Sequence, residues 1–117
     1  YFFDKFLIIR LWFLTTCIIS EFFCSPRNGK VIKAIFALVF CFKVNTKSLL
    51  YFARELAPSM IKNKYGSIII TGNTSALRGK PDFIYFAPTK AAQRIMAESL
   101  ARELGPKGVH VAYILIE

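Results

Sequence analysis

Polar side chains placed where an α/β chain binds or reacts gather in two stretches of this sequence. The first is Asn45, which heads an apolar stripe of Leu49, Phe52, Leu56 and Met60 at three- and four-residue steps. Asn45 therefore faces inward with that stripe. An unpaired amide in an apolar setting costs about 1–3 kcal/mol, so the position predicts either structural glue or a site residue. The second stretch follows the apolar burst Ile68-Ile69-Ile70 and reads Thr71-Gly72-Asn73-Thr74-Ser75. Ligands of open α/β sheets collect beyond the carboxyl ends of strands, which places function at Thr71 to Ser75 and in the first turns of the next helix. Metal chemistry finds no support: Cys17, Cys24 and Cys41 form no CxxC pair and only His110 could assist them. The three are read as reduced, small apolar residues. His110, within Val109-His110-Val111-Ala112, is read as a strand residue.

The elements that must hold these residues can be read in order. A helical pattern starts at Val31, with Lys47, Arg54 and Glu55 turned mostly away from the stripe and Pro58 near the last turn. Lys62-Asn63-Lys64-Tyr65-Gly66 makes the turn, and Ser67 to Thr71, continuously apolar apart from its ends, predicts a strand buried on both faces. After a loop from Gly72 to Pro81 comes a second helix. Its stripe is read as Ala92, Ile95, Met96, Ser99 and Leu100, backed by an ion-pair ladder of Arg94, Glu98 and Arg102. Gly105-Pro106 ends it, and Val109 to Ile116 is a second apolar strand. Strand, crossover helix and strand predict one parallel βαβ unit.

The 117 residues leave room for one domain. A chain that starts with Tyr1 and stops at Glu117 directly after a strand reads as a fragment. The net charge of +9 is scattered among apolar runs, which argues against a nucleic-acid stripe. Lys62 and Lys64 are read as a solvated turn. Residues 1–30 differ in character, crowded with Phe2, Phe3, Phe6, Phe13, Phe22, Phe23 and Trp12, and Ser25-Pro26-Arg27-Asn28-Gly29-Lys30 marks a boundary. This segment reads as improvised strands on the sheet, a poor membrane anchor or sequence unrelated to the rest of the chain. Arg10 interrupts the apolar run between Lys5 and Glu21, leaving it short of the roughly 20 residues of a spanning helix. A cytoplasmic protein is expected, with membrane association through residues 6–25 kept open. The domain proper is 31–117.

Four stretches together resemble the C-terminal half of the short-chain dehydrogenase/reductase family: Val44-Asn45 with Pro58-Ser59-Met60 downstream, Tyr65 to Gly72, Phe86-Ala87-Pro88-Thr89-Lys90-Ala91-Ala92, and Ser99 to Val109. Their order and spacing agree over about two thirds of the chain. The resemblance implies a partial Rossmann-type α/β fold, a truncated doubly wound parallel sheet, with NAD or NADP as cofactor and a small-molecule carbonyl or alcohol as substrate. It also implies a catalytic set of Asn, Ser, Tyr and Lys. Asn45 falls at the asparagine and Lys90 at the lysine, which in the family binds the nicotinamide ribose and lowers the tyrosine pKa. Asn73 falls near the serine. By the same resemblance Thr71 and Gly72 border the cofactor with Lys90.

Phe86 stands four residues before Lys90, where the family has its proton-exchanging tyrosine. Tyr85 is no substitute, since adjacent helical residues diverge by about 100°. The strand, glycine-rich turn and helix that cradle a cofactor pyrophosphate have no counterpart, and neither does the Pro-Gly segment after the last strand. The expectation is thus an impaired oxidoreductase that binds dinucleotide weakly at best. The alternative is a non-catalytic module whose two long helices pair with a second copy, or a membrane-anchored relative.

Overall fold

The computed structural model describes residues 31–116. Helix α1 (Val31–Phe42) passes through a π-helical turn (Lys43–Lys47) into α2 (Ser48–Lys62), and Pro58 is accommodated inside α2. A turn with Lys64 at φ 50° leads to strand β1 (Gly66–Asn73). Two 3-10 turns, Thr74–Ala76 and Pro81–Phe83, precede helix α3 (Ala87–Leu104), which a third turn, Gly105–Lys107, links to strand β2 (Val109–Ile116). The strands pair in parallel, from Gly66 opposite Val109 to Asn73 opposite Ile116. The βαβ expectation holds, and β1 runs two residues further than its sequence reading.

Both long helices pack on one face of this sheet. Ile68 and Ile70 of β1, with Val109 and Val111 of β2, meet Leu49 and Ala57 of α2 and Ala97 and Leu104 of α3. Small alanines let the helices approach closely, and the buried side chains supply the main drive to fold, about 25 cal/mol per Å² of apolar surface removed from water. On the opposite face Ile69 and Thr71 are only half-buried, and His110, Ile114 and Ile116 are exposed. The expectation that β1 is buried on both faces is therefore corrected. Its apolar run alternates in burial because the described helices cover one side only.

The helix faces also shift from their sequence readings. On α2 the buried positions are Ser48, Leu49, Ala53 and Ala57, with Phe52, Leu56 and Met60 half-buried beside them. On α3 they are Ala87, Thr89, Lys90, Gln93, Ala97 and Leu104, while Ile95 is exposed. The ion-pair ladder has Glu98 to Arg102 at 2.6 Å and Glu103 to Lys107 at 3.6 Å; no ion pair of Arg94 is formed among the described residues.

Gly108, at φ 86°, ends the last turn in a left-handed conformation, and a Cβ there would lie 2.9 Å from the Lys64 carbonyl oxygen. The turns that lead into β1 and β2 thus lie against each other. By length and composition, Ile35–Lys62 is apolar enough to cross a membrane, but its second half is committed to the sheet through Leu49 and Ala57. The boundary at 25–30, Cys17, Cys24 and the residue 6–25 anchor reading lie outside the described residues. Cys41 is fully buried, and Lys62 and Lys64 are exposed as expected.

Candidate functional site

The π-helical turn is the first device of the site. Successive residues of a regular helix diverge by about 100°, but the wider turn lets Asn45 and Thr46 both sink toward α3, at 4% and 1% exposure. The second device is the start of α3, where Phe86, Lys90 and Gln93 fall on one face at three- and four-residue steps.

Between these elements runs a chain of buried hydrogen bonds. Asn45 Nδ2 donates to Thr89 Oγ1 at 3.0 Å, and Thr89 Oγ1 donates to the Phe86 carbonyl at 2.7 Å. Thr46 Oγ1 donates to the Thr89 carbonyl at 3.0 Å. Gln93 Nε2 donates to the Asn45 carbonyl at 2.7 Å, while Gln93 Oε1 accepts from Lys90 Nζ at 3.1 Å. Lys90, only 2% exposed, also makes a long bond of 3.5 Å to the Thr71 carbonyl. Its Nζ sits 5.7 Å from the centre of the Phe86 ring, within cation–π range. Burying a lysine and two amides is costly unless their polar atoms are partnered, and here they partner one another.

The expected site residues thus fall into two groups. Asn45, Phe86 and Lys90 meet in this network, and Thr71 is tied to it through its carbonyl. Asn73 is tied instead into its own turn, where its Oδ1 accepts from the Ser75 amide at 3.2 Å and caps Thr74–Ala76. Its Nδ2 makes no hydrogen bond among the described residues, so a donor remains at the end of β1. Gly72 is buried against Tyr113: a Cβ there would run into the ring Cζ and Oη. Tyr113 Oη makes a long bond of 3.5 Å to the Lys90 carbonyl, and burial pushes its pKa up to about 12 against an opposing pull from Arg94.

Sequence reasoning missed Thr46, Thr89, Gln93 and Tyr113. For Gln93 a signal existed: with Lys90 as anchor, the helix face it shares necessarily includes positions 86, 93 and 97. For Tyr113 none did, because only the strand pairing brings it beneath Gly72.

Phe86 itself is 3% exposed and belongs to an apolar cluster with Ala37 and Cys41, flanked by Phe83 and Tyr85. Tyr85 packs against this cluster. Next to this cluster, the loop after β1 and the first turns of α3 wall a groove of about 490 Å³. Lys90 is not in its wall, although neighbouring Ala91 is, and Ser75 joins the groove to Asn73.

Geometry and relatives agree. The family model for short chain dehydrogenase matches residues 37–116. The chain is 33% identical over 72 residues to D-xylose 1-dehydrogenase of Caulobacter vibrioides, a match covering 62% of this chain and 29% of that enzyme. It is 37% identical over 71 residues to a 3-oxoacyl-acyl-carrier-protein reductase of Buchnera aphidicola, covering 61% and 29%. Among solved structures, a short-chain dehydrogenase from Rhodopseudomonas palustris superposes with a TM-score of 0.65 at 36% identity, over 68% of this chain and 38% of that one. The chain belongs to the short-chain dehydrogenase family, and it spans under a third of the length of the curated relatives it matches.

Proposed function

We propose that this chain serves hydride transfer between a nicotinamide, NAD or NADP, and a small-molecule carbonyl or alcohol, and that its proton-transfer step is impaired. The observation that carries the reading is the buried Lys90, held toward the end of β1 by Gln93 and the Thr71 carbonyl. Such a built position is what a ribose-binding lysine requires, and it is not what a solvated helix lysine has.

The described residues fit the nicotinamide end of such a cofactor. Lys90 would meet the ribose, with Thr71 and Gly72 forming the floor at the strand end; no glycine-rich turn for the pyrophosphate is present among the described residues. When bound, the nicotinamide supplies or accepts the hydride. Asn73 Nδ2 would orient the substrate oxygen. Asn45 would keep the start of α3 in place through Thr89 and support a water relay, and the Gln93 side chain links the Asn45 carbonyl to Lys90. Phe86 has no proton to exchange, so a water or another residue would take that part. The missing acid, with no glycine-rich turn among the described residues, supports reading the chain as an impaired relative of an active enzyme.

The test is Phe86→Tyr. With cofactor bound, a phenol restored beside Lys90 should raise carbonyl reduction by about 10²–10⁴-fold, the usual worth of a positioned general acid. Unchanged turnover at saturating cofactor would show that the phenol is not what limits the chain.

A second reading, a non-catalytic module that associates with another copy, is favoured by the exposure of Leu50 and Tyr51 on α2 and Ile95 on α3. Sedimentation of the purified chain decides it, since a monomer at all concentrations removes that reading.

A further inference from the structure

The groove beside α3 has a chemical character that the hydride-transfer reading does not use. Its walls are mainly apolar, with Leu77, Phe83, Ile84 and Ala91 prominent, and its volume of about 490 Å³ falls in the range of small-molecule sites. Arg78 and Lys80 also line it, both exposed and neither in an ion pair among the described residues. Among its described lining residues none is acidic. Even with Asp82 of the same loop counted, residues 74–84 keep an excess of positive charge.

From this charge and shape we propose that the groove binds an amphipathic small-molecule anion, its apolar body against Leu77, Phe83, Ile84 and Ala91 and its carboxylate or phosphate against Arg78 and Lys80. Guanidinium and ammonium groups left unpaired beside an apolar trough are complementary to such a ligand, and a neutral or cationic one leaves them unanswered. The groove abuts the site through Ser75, whose amide holds Asn73 Oδ1, and through Ala91, which follows Lys90. An occupant anchored at Arg78 and Lys80 would therefore present its far end toward Asn73. That the occupant is the substrate, an oxo- or hydroxy-acid or its phosphate counterpart, rests on the oxidoreductase reading above; binding of the anion does not.

The experiment titrates the full chain, without nicotinamide, with octanoate, octyl phosphate and 1-octanol, following amide chemical shifts. Both anions should bind at least about fivefold tighter than octanol, a factor appropriate to two exposed charge contacts. Their shifts should centre on Leu77 to Ala91, and rising salt should weaken the anions alone. The paired change Arg78→Gln with Lys80→Gln, at exposed positions, should abolish the preference and leave octanol unchanged. Ala91→Phe, which fills the trough, should weaken all three ligands. Preference for one anion over the other assigns carboxylate or phosphate as the natural head group. Equal affinity for octanol and both anions, a preference that survives the paired change, or shifts centred elsewhere would overturn the proposal. Because no cofactor is present, failure of NADH binding leaves this result standing, and its failure leaves the hydride-transfer reading standing.

Discussion

On one side of the α2–α3 junction lies a polar interior, Asn45, Thr46, Thr89, Lys90 and Gln93. On the other lies an aromatic one, Phe86 among Ala37, Cys41, Phe83 and Tyr85. Both are buried, and the same helix start serves both. The polar side carries a cost that packing alone would not impose, because a lysine and two amides removed from water must find partners. Its bonds are made: Gln93 joins Lys90 to the Asn45 carbonyl, and Thr89 joins the Asn45 amide to the start of α3. The aromatic side simply packs. The difference teaches that burial of Lys90 rests on a set of mutually bonded polar groups, while Phe86 is held by apolar packing alone.

Perturbations of the polar side should be the most damaging to the fold. Gln93→Leu keeps the volume but strands the Asn45 carbonyl and removes an acceptor from Lys90, and should cost about 1–3 kcal/mol by urea unfolding. Lys90→Met should cost a similar amount. Since the two share one network, the double variant should lose less than the sum. Full additivity would mean that the network is not a unit.

Gly72→Ala tests the strand end between the two sides. A Cβ there runs into Tyr113, so the expected loss is about 1–3 kcal/mol, relieved in part when Tyr113→Leu is added. No relief would show that the strand backbone, not the ring, sets the limit.

The pH dependence of Tyr113 is a smaller effect. Burial holds its pKa near 12, above the 10 of an unfolded tyrosine, so between those values the folded chain binds the proton that the unfolded chain has lost. This contribution to stability is fully present below pH 10 and is lost as pH rises toward 12. The wild type should therefore lose melting temperature in that window more steeply than Tyr113→Phe. Parallel curves would mean that Tyr113 is solvated.

The smallest change is expected outside both sides. Glu98→Gln breaks the exposed pair with Arg102 and should shift stability by at most about 0.5 kcal/mol, a reference against which the buried network is measured.

Much of this was legible in the residues. The strand at Ile68, the crossover helix ended by Gly105-Pro106 and the parallel return at Val109 follow from period and punctuation, and the inward Asn45 from its place on the stripe. What misled was the assumption that apolar side chains mark the buried face. On α3 they do not: Ile95 is exposed while Thr89, Lys90 and Gln93 are buried, because polar residues facing a polar partner helix satisfy one another, and no one-dimensional pattern shows the partner. The two-sided burial expected of β1 failed for a related reason, as an apolar run does not reveal how many layers cover it. Tyr113 came under Gly72 only through strand register.

The central claim is that Lys90 is held for a nicotinamide cofactor. It is tested most directly by titrating the purified chain with NADH and NADPH, following nicotinamide fluorescence and the thermal melt together. The expected result is saturable binding at dissociation constants of about 0.1–10 mM, weak because the described residues include no pyrophosphate cradle, with a raised melting temperature. Lys90→Met should weaken it about tenfold or more. A cooperative melt unmoved by either nucleotide, or affinity unchanged in Lys90→Met, would contradict the claim.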